Sequence, residues 1–579
     1  MGSNVVNPRL VLWAALALLL FTNYTTWLHD YAPPPAAETP AAQGAVTQRS
    51  VAPANDLGSR IPEAPAAKPA GAAGAPAGEA ASAAAPGALT GVAPPSTPAS
   101  DAAPLVRVRT DVLDVDISTQ GGTLTQVDLL AFPRVKGEKT PVRLENEDSQ
   151  GSLYVLQSGL TGPSGAPYPT HLASYSGPQS SYDIDSRQEL RVPLTWSEGG
   201  VSVTKTFVFR RGDYGIQVEY EVHNGGSAPW PARPYAQILR NDPRTKTSMF
   251  DVESYAFHGP AIYDGTRYRK LDVTSTQDSH LSLEVRDGWV AALQHHFVSA
   301  IVPPRGAPYN ITLGVSGDEY LLSVEGPEQI VAPGATAKLS QVLYTGPKLQ
   351  RQLEATAPEL GRVADYGRLW FLARPLFWLL DKVHALTGNW GVAIVLVTFL
   401  LKLGFYPLSE ASGRSMAKMK TMQPRIKNLQ ETYADDREKL GRAMMELYQR
   451  EKINPVAGCL PIIIQIPVFL AFYWVLLESV EMRQAPFAFW IHDLSSRDPW
   501  FILPAIMAVA MFVQYKLNPA PPDPVQAKVF MIMPIAMSAT FAFFPAGLVL
   551  YWVTNTVLSI AQQWNINRRI GAAVAARRG

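Results

Sequence analysis

The sequence predicts a multi-domain protein with an α-helical membrane core of six transmembrane helices, five of them in the C-terminal half, and an all-β sandwich domain outside the membrane. Three observations predict this. An apolar run, Leu10–Trp27, lies near the N-terminus, and residues 105–346 alternate apolar and polar side chains between regular turn signals. Five further apolar runs lie from residue 390 onward.

The charge and the cysteine content limit the classes of protein to which this chain can belong. The formal net charge is +1, so a uniformly basic nucleic-acid binder is not expected, and we predict no direct DNA binding. The single cysteine, Cys459, excludes an intramolecular disulfide, so an exported domain must be held by its own core.

The N-terminal run predicts a transmembrane signal-anchor over residues 1–31 with its N-terminus in the cytoplasm. The alternative is a cleaved signal peptide, but the bulky and proline-rich residues from Tyr31 to Pro35 make a poor cleavage site. Residues 32–104 are almost entirely Ala, Pro, Gly, Ser and Thr, a composition typical of a disordered linker.

The β domain is predicted over 105–346. Val201 and Val203 alternate with polar residues, Arg211-Gly212-Asp213 forms a turn signal, and Ile216 and Val218 resume the alternation. This pattern is typical of antiparallel strands in a sandwich.

A connector over 347–389 follows, and within it Tyr366–Thr387 carries a narrow polar stripe on an aromatic helix. This favours a helix in the plane of the membrane interface. The alternative is a docking helix under the β domain. Pro375 is expected to break or kink the helix.

The membrane core is predicted over 390–569, with spans at Trp390–Leu408, Cys459–Leu477, Trp500–Lys516, Val529–Phe544 and Ala546–Trp564. Several spans are short against the roughly 20 residues that a bilayer needs, so the membrane should thin around them. The excess of Lys and Arg in 409–456 and in the basic tail 570–579 puts both termini in the cytoplasm and 29–389 outside.

The sequence contains no P-loop, HExxH, CxxC or GxSxG motif, so we predict neither an enzyme nor a bound cofactor or metal, and no small-molecule substrate. His295 and His296 are expected on one strand, pointing to opposite faces, which makes a shared metal improbable.

Lys402 lies inside an apolar run, where a lysine costs roughly 2.5–3.5 kcal/mol. Snorkelling to the cytoplasmic headgroups is one explanation. The other is a hydrated cavity, because Thr398 shares its helical face and other spans carry polar residues, namely Gln465, Gln514, Ser538, Thr540 and Asn555. Singly, such residues are more often contacts between helices.

The loop between the second and third spans contains two apolar stripes at helical spacing, which predict an antiparallel helical hairpin over 412–452. Methionines in the stripes, such as Met416, Met419 and Met444, suit adaptable contact with varied apolar partners. Equally, they could only hold the hairpin together.

Three motifs resemble the signature of the YidC/Oxa/Alb insertase family. They are Asn454–Pro461 followed by Ile464–Phe469, then Arg483–Phe487 with Trp490–Leu494, and finally Phe544–Trp552. The resemblance is strong over about 366–569. The first span, the linker and the β domain match the Gram-negative layout more loosely.

The resemblance implies a five-helix core enclosing a hydrophilic groove, and a Gram-negative inner-membrane protein with a periplasmic β domain. The family's basic groove residue, usually Arg, falls on Lys402, its threonine on Thr398 and its aromatic residue on Trp552. The predicted groove residues are therefore Lys402, Thr398, Gln465, Gln514 and Trp552.

The function implied is that of an insertase or chaperone that moves hydrophilic client segments through the groove and releases transmembrane segments into the bilayer, alone or with the Sec translocon. The hairpin is expected to contact nascent membrane proteins or the ribosome through Met416, Met419, Lys420, Arg425 and Met444. Two alternatives stay open: a membrane-anchored periplasmic carbohydrate-binding protein or enzyme, and a small-solute transporter.

Overall fold

The computed structural model describes residues 57–62, 103–147, 153–163, 166–241, 256–433, 436–451, 460–517 and 524–576. The predicted anchor at Leu10–Trp27 and most of the linker 32–104 lie outside these residues, as do 577–579 of the basic tail.

The described residues between 105 and 347 form two β-sheets. Their strands are β1 Leu105–Arg109, β2 Leu113–Ser118, β3 Thr123–Pro133, β4 Pro141–Arg143, β5 Asn146–Glu147, β6 Leu153–Thr161, β7 Ser181–Asp183, β8 Glu189–Glu198, β9 Val201–Arg210, β10 Gly215–Asn224, β11 Trp230–Asn241, β12 Gly259–Tyr263, β13 Tyr268–Lys270, β14 Ser282–Arg286, β15 Trp289–Leu293, β16 Phe297–Val302, β17 Pro308–Ser316, β18 Glu319–Glu325, β19 Gln329–Val331 and β20 Thr336–Pro347.

The first sheet has 12 strands, with the order β14-β17-β18-β11-β6-β3-β2-β1-β7 and β4, β5 and β19 paired at its sides. The second has eight strands in the order β13-β12-β15-β16-β20-β10-β9-β8. Their apolar faces enclose one core that includes Val203, Ile216 and Val218. The β9–β10 hairpin confirms the predicted alternation, and its turn contains Gly212 at φ 72°, a backbone conformation that favours glycine.

The prediction for His295 and His296 is wrong. Both residues lie in the turn between β15 and β16, and their rings stack with centroids 3.8 Å apart instead of pointing to opposite faces. Burial lowers the pKa of His295 to about 3, so the ring is neutral at physiological pH.

Residues 57–62 depart from the linker prediction. Leu57 is buried against Val155, Leu239 and Leu321 on the outer face of the 12-stranded sheet. The carbonyl oxygen of Gly58 lies 3.0 Å from His171 Nε2, so this short segment is attached to the β domain.

The helices begin after the β domain. They are α1 Gln350–Thr356, α2 Trp370–Thr387, α3 Trp390–Gly404, α4 Tyr406–Thr421, α5 Gln423–Thr432, α6 Arg437–Arg450, α7 Leu460–Glu478, α8 Ile502–Leu517, α9 Pro524–Phe541 and α10 Ala546–Ala576.

Helix α2 continues through Pro375 without the predicted break. It exposes Trp370, Phe371 and Trp378 on one side and buries Leu376 and Leu380 on the other. The buried side packs in the same core as α3, α7 and α10, so α2 belongs to the helical half of the molecule.

The apolar helices α3, α7, α8 and α9 lie within about five residues of four predicted C-terminal runs, and α10 begins at the predicted Ala546 but continues past Trp564 to Ala576. A turn before Ala546 separates α9 from α10, and α10 packs mainly against α8 and α3. In the described part of the chain, no single helix has both the length and the apolar composition of a membrane span. Helix α3 together with Tyr406–Gly413 passes that test as a pair bent by 63°. The six predicted spans therefore stay a prediction.

Candidate functional site

The loop between α7 and α8, residues 479–501, fixes the N-terminal ends of α3 and α10. Asn389 caps α3 by accepting from Val392 N over 3.0 Å and donates its Nδ2 to the carbonyl oxygen of Phe487 over 2.9 Å. Gly391 is needed beside this contact, because a Cβ there would lie 2.2 Å from the Phe487 ring. At α10, Gly547 N donates to Leu494 O over 2.9 Å.

With their ends held in this way, α3 and α10 present polar side chains to each other. Lys402 on α3 donates its Nζ to Ser559 Oγ on α10 over 2.8 Å. Ser559 in turn donates to the backbone oxygen of Asn555, one turn earlier, over 2.7 Å. Lys402 is thus held against a neighbouring helix in this structure, which favours the cavity over the snorkelling explanation.

A second hydrogen bond joins α7 to α10. Gln465 on α7 donates its Nε2 to Asn555 Oδ1 on α10 over 2.8 Å. Thr398 is buried and donates its hydroxyl to Ile394 O over 2.6 Å, within α3. We call Thr398, Lys402, Gln465, Asn555 and Ser559 the polar cluster.

A narrow cavity of about 20 Å³ lies at this cluster, about the room that one water needs. Its lining comprises Thr398, Leu401, Lys402, Phe405, Ser409, Gln465, Val468, Tyr551 and Asn555. Four helices, α3, α4, α7 and α10, contribute to it. In this arrangement, polar groups inside an apolar helical bundle satisfy one another.

Of the five predicted groove residues, the structure brings Lys402, Thr398 and Gln465 together. Gln514 lies on α8 and is not among the described residues that line the cavity. Trp552 is also outside the lining; its ring packs against Phe469, with centroids 4.6 Å apart, and against Phe541. The neighbouring Tyr551 lines the cavity instead.

Sequence reasoning missed Tyr551 and Ser559. Tyr551, Asn555 and Ser559 recur every four residues, so one face of α10 carries all three. The same spacing relates Thr398 and Lys402 on α3. A search for polar side chains at this spacing on two helices would have found both residues.

The cytoplasmic hairpin was predicted over 412–452. Its arms are α5 and α6, with Met422 and Ile426 buried between them and Met419, Met444, Leu447 and Tyr448 packed around these two. Met419 and Met444 therefore take part in the hairpin's own core. Arg425 is exposed and pairs with Glu451 over 2.7 Å. The side chains of Met416 and Lys420 lie outside the described residues.

In the described ranges no three His, Cys, Asp or Glu side chains are grouped so that they could hold a metal ion. The polar cluster also contains no carboxylate. Its side chains can exchange the hydrogen bonds that they make to one another for bonds to another polar group.

Comparison with known proteins matches both halves of the chain. The family described as "YidC periplasmic domain" matches residues 105–379, and the family described as "60Kd inner membrane protein" matches residues 382–573. A membrane protein insertase YidC of Nitrosococcus oceani is 44% identical over 97% of this chain and 99% of its own length. The insertase of the same name from Thioalkalivibrio sulfidiphilus is 45% identical over 98% and 99%.

Among solved structures, an active YidC insertase crystal structure covers 80% of this chain and 94% of its own at 18% identity, with a TM-score of 0.34.

Proposed function

The chain belongs to the YidC family of membrane protein insertases, and from this premise we propose that its polar cluster is the place where hydrophilic client segments enter the bilayer. It is an inner-membrane insertase with a periplasmic β domain, and it is not an enzyme. Six spans with both termini in the cytoplasm remain part of the proposal, supported by the distribution of Lys and Arg.

The observation that carries the proposal is the bond from Lys402 Nζ to Ser559 Oγ, beside the bond from Gln465 to Asn555. Both bonds cross between helices. Such bonds in membranes contribute only about 0.6–2 kcal/mol each, so a client with polar groups of its own can replace them at small net cost. The narrow cavity then corresponds to the closed, client-free form.

A hydrophilic segment that reaches the cluster exchanges hydrogen bonds there instead of losing them to hydrocarbon, which is the main cost of crossing a bilayer unaided. The ammonium group of Lys402 also attracts acidic client segments. No nucleotide is required, because the inserted client is the more stable state.

Release of the apolar part of the client is supported by the outer faces of the same helices. On α3, Phe399, Leu400 and Leu403 are 48%, 43% and 58% exposed, although Thr398 beside them is buried. A client's apolar segment can therefore leave the polar cluster and bury its surface against this face and the lipid.

For partners, membrane-protein clients follow from the family, and we propose the ribosome at the hairpin and the Sec translocon beside the helical core. The hairpin's exposed Arg425 and its other basic residues suit ribosomal RNA.

The test replaces Lys402 with Ala or Arg and follows insertion of a short single-span client into proteoliposomes. We expect Lys402→Ala to slow insertion several-fold and Lys402→Arg to retain most of it, because Arg keeps the charge. Lys516→Ala is the matched control, since Lys516 lies in the last turn of α8 beside Phe512 and is exposed. Equal insertion by the wild type and Lys402→Ala would reject a role for this charge.

A further inference from the structure

The outer face of the 12-stranded sheet carries two rows of side chains at the place where residues 57–62 lie. In each row, one residue from β6, one from β11 and one from β18 lie side by side across the strands. Because side chains alternate along a strand, rows that are two residues apart project from the same face. The apolar row is Val155, Leu239 and Leu321, and the polar row is Gln157, Gln237 and Ser323. We call these six residues the docking face.

The apolar row holds one side chain of the segment. Leu57 is 2% exposed and packs against this row. On β17, the residue paired with Leu321 is Gly314, where a Cβ would lie 3.8 Å from Leu57 Cδ2 and 3.2 Å from Arg60 Nη1. The glycine therefore leaves room for the segment beside the apolar row.

The polar row binds the backbone of the segment. Its three side chains are buried, and buried amides need hydrogen-bond partners. Gln237 Nε2 donates to Gln157 Oε1 over 2.6 Å and to Arg60 O over 3.2 Å. Gln157 Nε2 donates to Gly58 O over 3.3 Å. The segment therefore supplies backbone oxygens that both buried amides use.

His171, between β6 and β7, adds a third donor. Burial lowers the pKa of His171, so its ring is neutral at physiological pH. Its Nε2 lies 3.0 Å from Gly58 O, which can only accept, so Nε2 carries the proton. The other nitrogen, Nδ1, accepts from Tyr235 Oη over 2.7 Å, and the same hydroxyl accepts from His171 N over 2.9 Å. Tyr235 thus orients the ring toward a backbone carbonyl of the segment.

These contacts require little of the segment's sequence. The amide and imidazole donors bind backbone oxygens, which every residue has, and the apolar row accepts one leucine side chain. Main-chain bonds for affinity and a side-chain pocket for specificity are a recurring way in which proteins bind peptides. We therefore expect other segments with a leucine before a turn to fit the docking face.

Docking of residues 57–62 should be reversible. One buried leucine and three hydrogen bonds oppose the loss of conformational freedom of six residues, and the net contribution of each hydrogen bond is small. The segment belongs to the same chain and returns readily, but a polypeptide at high local concentration can replace it. Clients of an insertase expose their exported segments on the side of the membrane where the periplasmic domain lies.

We propose that the docking face binds leucine-bearing segments of other polypeptides exposed in the periplasm, and that residues 57–62 occupy it in their absence. The site lies in the β domain and does not depend on the proposed route of client insertion through the polar cluster. Unimpaired insertion by Lys402→Ala would therefore leave it standing.

The experiment uses the full-length protein in detergent and a synthetic peptide of residues 54–64 with a photoreactive leucine analogue in place of Leu57. After illumination, mass spectrometry locates the crosslinked residues. We expect adducts within 153–157, 237–241 or 319–323, which contain the apolar row. The Leu57→Asp protein should give at least threefold more adduct than the wild type, because its own segment no longer competes. Ile330→Asp is the matched control and should give the wild-type yield, because Ile330 is 67% exposed on β19 and is not part of the docking face.

Unlabelled peptides then test whether the site accepts other polypeptides. A peptide that keeps Leu57, Gly58 and Ser59 and has alanine elsewhere should compete about as well as the natural sequence, whereas the natural peptide with Leu57→Asp should not compete. Should Leu57→Asp destabilise the protein, Leu57→Ala should still raise the adduct yield above that of the wild type. Adducts elsewhere, equal yields from the wild type and both Leu57 variants, or failure of the alanine-rich peptide to compete would overturn the proposal.

Discussion

Lys136 Nζ donates to the carbonyl oxygen of Gln484 over 2.7 Å and links the β domain to the loop between α7 and α8. Two bonds run in the opposite direction, since Arg483 Nη2 and Gln484 Nε2 each donate to Pro133 O over 2.9 Å. The same loop holds the ends of α3 and α10. It therefore connects the β domain to the two helices that carry Lys402 and Ser559 of the polar cluster.

Breaking this joint should loosen the β domain without unfolding it. In Lys136→Ala/Arg483→Ala, hydrogen exchange should become faster at 133–140 and 484–494, because the bonds that join the two segments are lost. Exchange in β9 and β10, far from the joint, should not change. Lys338→Ala is the control, since Lys338 is 78% exposed and pairs with Glu221 only at 4.0 Å. Unchanged exchange at both joint segments would contradict the prediction.

The contact of residues 57–62 with the β domain leads to a second prediction. Leu57→Asp should place a carboxylate against Val155, Leu239 and Leu321, and Leu→Ala changes alone cost about 2–5 kcal/mol in such sites. The segment should detach, and trypsin should then cut after Arg60 more rapidly in the full-length protein.

Mass spectrometry of early fragments measures that cleavage. Ile330→Asp is the control, because Ile330 is 67% exposed on β19 and an added charge there meets water. Equally fast cleavage after Arg60 in the wild type would show that the segment is not held in solution.

The sequence predicted the large elements because each has a strong periodic signal. Continuous apolar runs placed α3, α7, α8 and α9 within about five residues and the start of α10 at Ala546, although α10 continues past the predicted Trp564 to Ala576. Alternation placed β9 and β10. The turn at His295 and His296 was missed because it contains none of the Gly, Pro or Asn residues that mark turns.

At the candidate site, single polar residues in apolar runs identified Lys402, Thr398 and Gln465, because each is costly in hydrocarbon. Which aromatic residue would face the cavity could not be read from the motif, since Tyr551 and Trp552 are adjacent and the rotation of α10 decides between them. Leu57 was missed because one buried leucine does not change the composition of a long Ala/Pro-rich segment.

Glu145 predicts a pH dependence of stability. Its two carboxylate oxygens accept from Ser299 and Thr345, but burial is the larger effect and raises the pKa from 4.5 to about 7. The folded protein therefore binds more protons than the unfolded chain between these values. The free energy of unfolding should fall as pH rises from about 4.5 to 7, by on the order of 3 kcal/mol for this group alone.

Glu145→Gln should remove that contribution, so the difference in melting temperature between variant and wild type should shift in the variant's favour from pH 5 to pH 8. Full-length protein in detergent, melted at several pH values, gives the measurement. Glu221→Gln serves as the control, because Glu221 is 56% exposed. Parallel curves for the wild type and Glu145→Gln would contradict the prediction.

The hairpin offers a test that depends on two adjacent methionines. Met444 packs against the buried pair Met422 and Ile426, whereas the next residue of α6, Met445, is 40% exposed. A photo-crosslinker at 445 should therefore capture ribosome-bound nascent chains, and one at 444 should react mainly within the hairpin, with α5. Gel analysis of translation reactions on inverted membrane vesicles distinguishes the two products. Strong capture of nascent chains from 444 would instead mean that the hairpin opens when the ribosome arrives, since in the closed hairpin that side chain faces its own neighbours.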